Sequence, residues 1–259
     1  MWSRDVLKTN AKKAIGGKRF WTGFLVIVVV TLLPTLLDGL FWAGNYSEKI
    51  IYYFAYQIPF ADTGMFCMLS LAIVLVGILI SLPLEVGRSA YFIRNRFGES
   101  RLSNVFLGFQ GNYGNVVKTT FVTNLIIGLW TLLLVVPGII KRIQYSMVPY
   151  LLSDNPNLSS SRARQISRLM TTGEKGAIFV LQLSFIGWFL IPVLAANLLD
   201  NGAFEMGVIS QVVSFLGLTL IYPYYYATYS ELYIFLRDRA IQTGMVEPEE
   251  LGLSLAAHE

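Results

Sequence analysis

The residues in this sequence that could do chemistry are few, and the first of them are two basic side chains in an apolar stretch, Lys141 and Arg142. They follow Pro137 in a short semi-polar run, GIIKRIQYSMVPYLL at 138–152, with Gln144, Tyr145 and Ser146 close behind. A cation near mid-bilayer costs about 2.5–3.5 kcal/mol, so it is kept only with a partner, a wet cavity or a route to the interface. Two readings stay open: an anion or headgroup site built on Lys141, Arg142, Gln144 and Tyr145, or two side chains that snorkel to the outer interface about one helical turn away. Glu85 and Arg88 lie three residues apart, which places both on one helix side as an ion pair, here at the depth of a hydrated membrane edge. Asp38, Glu85 and Glu231 are the acidic groups available to partner a buried cation. The run Tyr222, Tyr224, Tyr225, Tyr226, Tyr229 and Tyr233 surrounds Pro223 and cannot all face one direction. An interfacial aromatic belt accounts for most of it, while Tyr222, Tyr225 and Tyr229 share a helical face that could line a cavity.

Several chemistries are excluded. The single histidine, His258, lies in an acidic tail and the single cysteine, Cys67, in an apolar stretch, so no disulfide, His-based metal centre, Ser-His-Asp triad or histidine proton relay can form in the core. Gly16-Gly17-Lys18 and the glycines at 108, 111 and 114 lack the spacing of a phosphate-binding loop and read as breaks between helices. With no nucleophile and base in view, the sequence points away from an enzyme and implies no cofactor and no metal.

The elements that must position these residues are membrane helices. The chain is 54% hydrophobic and 14% charged, where a soluble domain carries roughly 25% charge. Mean hydropathy is +0.56, concentrated in blocks of about 20 residues, the length that crosses a hydrocarbon core as helix. The fold class expected is all-α: a polytopic membrane bundle of six helices, near 20–42, 65–96, 116–136, 138–153, 177–199 and 207–236. The segment 138–153 either spans fully or forms one limb of a re-entrant hairpin. Residues 2–16 form a basic amphipathic interfacial helix and 159–175 a second amphipathic helix, whose apolar face (Ala163, Ile166, Leu169, Met170) could dock a partner. Residues 1–242 make one membrane domain, and 243–259 a loosely ordered acidic tail. The first span lacks a cleavage site and is expected to stay in the mature protein. This layout places all of the 20 lysines and arginines except Lys49, Lys141 and Arg142 on one side, so both termini are expected in the cytoplasm of a cell membrane. Expected partners are membrane lipids, including anionic headgroups, with a protein partner as the alternative and no nucleic acid. Pro83 and Pro137 are each followed at five residues by an arginine (Arg88, Arg142) and at eight by a tyrosine (Tyr91, Tyr145), the trace of a duplicated helix unit or a chance match.

The strings LWTLLLVVPGIIKRIQYSMVPYLLSDNP, SRARQISRLMTTGEKGAIFVLQLSFIGW and YPYYYATYSELY, with WSRDVLKTNAKKAI and GFQGNYGNVVKTTF, resemble a bacterial membrane family of unknown function, family 975. The resemblance covers nearly the whole chain. It implies an integral membrane protein distantly similar to the membrane domain of some glycerophosphodiester phosphodiesterases, and it brings no catalytic residues. The signature positions it implies are Pro137, Gly138, Lys141, Tyr145, Asp154, Asn155, Pro156, Ser167, Ser184, Gly187, Trp188 and Pro223. The function expected is non-enzymatic: binding or moving a lipid or peptide amphiphile through a polar cleft of Lys141, Arg142, Gln144, Tyr145, Tyr225 and Tyr229. The alternative is a scaffold or immunity partner that docks another protein through the 159–175 helix.

Overall fold

The computed structural model describes residues 2–43, 60–199 and 204–253. Most of the expected outer loop at 43–62, the side chains of Asp38 and Cys67, and residues 254–259 lie outside the described residues. The helices are α1 (Arg4–Ala14), α2 (Lys18–Ala43), α3 (Phe60–Arg96), α4 (Tyr113–Leu133), α5 (Val135–Gln144), α6 (Val148–Asp154), α7 (Ser160–Thr171), α8 (Lys175–Leu199) and α9 (Phe204–Gln242). Short 3₁₀ segments occupy Leu102–Phe109 and Pro248–Leu251, and there is no strand among the described residues.

Five of these helices are long and apolar enough to cross a membrane: Lys18–Leu36, Leu71–Arg96, Tyr113–Leu133, Lys175–Leu199 and Gly207–Gln242. The segment 138–153, expected either to span fully or to form one limb of a re-entrant hairpin, is two short helices. At 10 and 7 residues, α5 and α6 reach only about 15 and 10 Å. Pro149 sits in the first turn of α6, where its missing N–H does no harm but where a continuous helix from α5 could not pass. The return from α4 starts at Leu134, whose backbone is extended (φ −154°, ψ 131°). Gly138 then lies so close to Thr131 that a Cβ would meet that residue's backbone and side chain. The result is a tight α4–α5 hairpin whose tip, Leu132 to Val136, exposes five apolar side chains in a row.

Burial concentrates at the opposite, basic end, here termed the base. Val86 and Ile93 of α3, Met147 and Leu151 around α6, Met170 of α7 and Leu236 of α9 belong to one cluster there. Above it, the long helices expose their apolar surfaces, as Leu71, Leu125, Ile191 and Val212 show. Helix α1 is capped by the Ser3 hydroxyl, which accepts from the Val6 amide at 3.3 Å, and it lays Leu7, Ala11 and Ala14 into the base. Glu174 joins three distant parts of the chain, accepting from the Trp2 indole at 3.1 Å and from Arg239 at 2.5 Å. Asp154-Asn155-Pro156 turns the chain as an Asx-turn, the Asn155 side chain accepting from the Asn157 amide at 2.9 Å. Asn115 of α4 donates to the carbonyls of Pro156 and Leu158, both at 2.8 Å, and Ser159 caps α7.

The first part of the acidic tail is not loose. Val246 and Leu251 are buried in the base, and Glu250 receives Arg162 at 2.5 and 2.8 Å while its carbonyl accepts from Asn155 at 2.8 Å. Two apolar anchors and a fork of charge-assisted bonds bind a segment whose composition alone reads as tail. The Arg162 hydrogen bond holds the Glu250 carboxyl below its usual range. A carboxyl depressed in the folded state stabilises above its unfolded pKa and loses that contribution as pH falls through the lower folded value. Protection factors at Val246 and Leu251, corrected for the intrinsic slowing of exchange in acid, are therefore expected to fall as the pH drops through the lowered Glu250 range, with Glu250→Gln weakly protected already at neutral pH. Protection that ignores both pH and the substitution would show that the fork does not hold the segment.

Candidate functional site

A cavity of about 820 Å³ opens where α3, α4, α8 and α9 meet the α5–α6 turn. Helix α3 brings Glu85 and Arg88, α5 brings Arg142, the turn and α6 bring Tyr145 and Tyr150, α8 brings Gln182, and α9 brings Tyr225, Tyr226 and Tyr229. Helix α4 lines it from Thr120 to Leu132, about 18 Å along the axis, with Thr120, Thr123 and Asn124 at one end and Ile127, Gly128, Leu132 and Thr131, whose hydroxyl is taken up by the Ile127 carbonyl, toward the other. The wall thus grades from polar to apolar.

Within it Arg88 is sparingly bonded for a buried guanidinium. Its side chain is 16% exposed, its ion contact with Glu85 is 3.9 Å long, and its Nε is buried with no hydrogen-bond partner among the described residues. The guanidinium carbon lies 3.9 Å from the centroid of the Tyr226 ring, which fixes the plane of the group by a cation–π contact. Thr120 is also buried with its hydroxyl oxygen unpartnered. Gln182 donates to the Tyr229 hydroxyl at 2.5 Å, and the Tyr225 and Tyr229 rings pack at 4.8 Å between centroids.

Of the residues singled out from sequence, Arg142, Tyr145, Tyr225 and Tyr229 meet in this cavity, and Glu85 and Arg88, read there as a separate edge pair, join them. Lys141 and Gln144 do not. In a helix, residues three or four apart share a face, so 142 and 145 turn inward together while 141 and 144 turn elsewhere. The Lys141 ammonium lies 5.3 Å from the Trp130 ring centroid and 5.7 Å from that of Tyr145, an aromatic setting rather than an anion site. Gln144 is buried against α7, its carbonyl accepting from the Ser167 hydroxyl at 2.8 Å.

The tyrosines of α9 are only partly a belt. Phe185 packs edge-on to Tyr224 and Tyr225 at 5.4 and 5.3 Å, and Phe189 packs on Tyr222, so the rings fill the α8–α9 seam. Tyr222 faces a neighbouring apolar groove with Phe189 and Leu218 rather than sharing the polar cavity with Gln182. Glu231, buried, pairs with Arg96 across α3 and α9. Sequence reasoning missed Thr120, Asn124 and Tyr150, and it did not place Gln182 or Tyr226 in the cavity. A signal existed for α4: Thr120, Thr123, Asn124 and Thr131 recur at helical spacing and make one polar stripe in an apolar helix.

The docking face expected on the 159–175 helix is already occupied. Ala163, Ile166 and Met170 are buried in the base, and only Leu169 is exposed. Ser167, on the same face, accepts from the Met147 amide at 3.2 Å as it donates to Gln144. An amphipathic stripe states that something covers it; here the cover is the protein's own α4, α6 and α9 together with the α5–α6 turn.

Fold and site together define an all-helical protein with five membrane-length helices and a cationic, tyrosine-lined cavity above a packed base. A family model described as protein of unknown function (DUF975) matches residues 53–240, and the chain belongs to that family. No curated protein and no solved structure matches it significantly. The comparisons give no support to a likeness with glycerophosphodiester phosphodiesterases.

Several positions named by the family resemblance have structural work in this protein. Gly138 closes the hairpin, Asn155 and Pro156 tie the turn to α4 and to the Glu250 segment, and Ser167 bridges α7 to the α5–α6 turn.

Proposed function

We propose that the protein is a multi-pass protein of the bacterial cell membrane, with the base and both termini on the cytoplasmic side, that binds or moves an amphiphile through this cavity without catalysing a reaction. The observation that carries the reading is convergence. Arg88, Arg142 and Tyr229 come from three well-separated parts of the sequence, yet they line one cavity whose wall turns apolar toward Ile127 and Leu132. A polar pocket beside exposed apolar helix surface suits a molecule with a charged head and an apolar body, whether a lipid or a peptide. The distribution of lysine and arginine supports the orientation, because the basic side chains gather at the base.

Native mass spectrometry of the protein released from lipid nanodiscs tests this. The parent is expected to carry a defined adduct that Arg142→Ala reduces roughly tenfold, the scale of one lost charge-assisted contact, whereas Lys141→Ala leaves it in place. Bare protein in every sample, or an adduct indifferent to Arg142, would remove the reading.

A further inference from the structure

The chemistry of the cavity narrows the ligand, given that it takes an amphiphile at all. Three lining side chains carry formal charge, Glu85, Arg88 and Arg142, and they leave one positive charge in excess. A monoanion balances that excess; a zwitterion leaves it standing and a dianion reverses it. Arg88 decides the kind of anion. A guanidinium presents five N–H donors in a planar fork that matches two oxygens of a phosphate or carboxylate. Here the fork is held by Tyr226, meets only a 3.9 Å ion contact with Glu85, and keeps a buried Nε without a partner among the described residues. A buried donor left this way is costly, and an entering oxyanion satisfies it. The unpartnered Thr120 hydroxyl adds a donor for a further oxygen or for a glycerol hydroxyl. Beyond these groups the wall is Ile127, Gly128, Thr131 and Leu132; the Thr131 hydroxyl is spent on the Ile127 carbonyl at 2.8 Å and Leu132 is 85% exposed at the hairpin tip, so an acyl chain attached to the anion leaves along a largely apolar surface.

We infer that the cavity is a site for a monoanionic phosphodiester lipid, its phosphate between Arg88 and Arg142 and its acyl chains running along α4 toward the hairpin tip. This rests on the amphiphile reading above and adds the headgroup class. The same phosphate chemistry occurs in soluble phosphodiesters and in inorganic phosphate; the graded wall assigns the site to the lipid.

The test offers full-length protein in detergent an equimolar mixture of phosphatidylglycerol, phosphatidylethanolamine and phosphatidylcholine, and counts adducts by native mass spectrometry. Phosphatidylglycerol adducts are expected to exceed each zwitterionic lipid roughly tenfold. Arg88→Lys keeps the charge but removes the fork, and it is expected to erase most of that preference while the thermal transition stays at the parent value. Should Arg88→Lys not fold, Arg142→Gln, at an exposed position, reads the same preference. A second arm offers glycerophosphoglycerol and inorganic phosphate without acyl chains, and neither is expected to protect the cavity against phosphatidylglycerol. Equal retention of the three lipids, preference for a zwitterion, or preference unchanged in both variants would overturn the assignment and leave the amphiphile reading intact. Competition by inorganic phosphate would reassign the site to soluble anions and overturn it as well. Retention of no lipid of any kind removes the broader reading with it.

Discussion

Replacing Asp154 by leucine is expected to destabilise the base by about 3 kcal/mol, seen as a lowered denaturant midpoint for the detergent-solubilised protein with little change in slope. The Asp154 carboxylate accepts the Tyr233 hydroxyl at 2.6 Å and Arg237 at 3.3 Å, and Tyr233 is fully buried. Leucine leaves that hydroxyl without an acceptor in a place water does not reach, and leaves half of a guanidinium that is 11% exposed without its counter-ion. Asp238 keeps the other half of Arg237 paired at 3.1 Å, which is why the loss stays near 3 kcal/mol rather than reaching the upper end for an orphaned charge. Burial pushes the Asp154 carboxyl above its usual range, and the pull of Arg237 and Tyr233 in the other direction does not fully offset it. Desolvation therefore outweighs pairing, and the network specifies how α6 seats on α9 more than it stabilises the seat. The combined variant Asp154→Leu, Tyr233→Phe and Arg237→Met should recover most of the stability lost in the single change. A single variant as stable as the parent, or a triple variant no better than the single, would show that the network carries a different weight.

Alanine at Gly87 or Gly108 is expected to cost about 1–3 kcal/mol or more each, and to reach the cavity as well as the fold. A Cβ on Gly87 would coincide with the Val105 carbonyl, and one on Gly108 with the Pro83 carbonyl. These are backbone-on-backbone approaches in which no flexible side chain can move aside, so the 3₁₀ segment must lift off α3. Both sites are halves of one contact and may not be summed: the double variant should fall short of the sum of the singles. Gly87 is next to Arg88, so displacement there should also lower adduct retention, which separates it from an ordinary packing defect. Gly77→Ala is the control, since a Cβ at that position meets nothing within 4 Å and helix propensity favours alanine by about 1 kcal/mol. Thermal unfolding together with native mass spectrometry reads all three. Gly87→Ala and Gly108→Ala matching Gly77→Ala would show that the close approach is not needed.

The long helices were legible in the sequence because bilayer length and hydropathy leave little choice: α2, α4, α8 and α9 start or stop within a few residues of the expected bounds wherever a charge or a turn residue marks the edge. The cavity was legible in part. Arg142, Tyr145, Tyr225 and Tyr229 stand out as polar residues in apolar surroundings, but which of two adjacent cations faces inward depends on helix phase, and that phase is reset by the break at Leu134 before α5. Arg88 reads as an edge residue from its distance along α3 alone; its place in the cavity follows from α9 and α4 packing beside it. For α7 the amphipathic stripe was correct and its cover was not, because Ala163, Ile166 and Met170 are buried by partners that no local pattern encodes. The anchoring of residues 246–251 was hidden for the same reason, resting on Arg162, 88 positions upstream of Glu250.

The make-up of the base carries a consequence for how the protein comes into being. Leu7, Ile93, Met147, Ile178, Leu236 and Leu251 share a single cluster, so no shorter part of the chain holds its full complement. On the ribosome, α2 and α3 emerge long before α9 and the Glu250 segment exist, and on the membrane placement proposed above they rest in the bilayer with their basal ends uncovered. Closure of the base is then an event of the finished chain, later than insertion. A nonsense codon or a protease cut ahead of Val246 should yield a species that is threaded into the membrane yet open at that end, a natural substrate for membrane quality control.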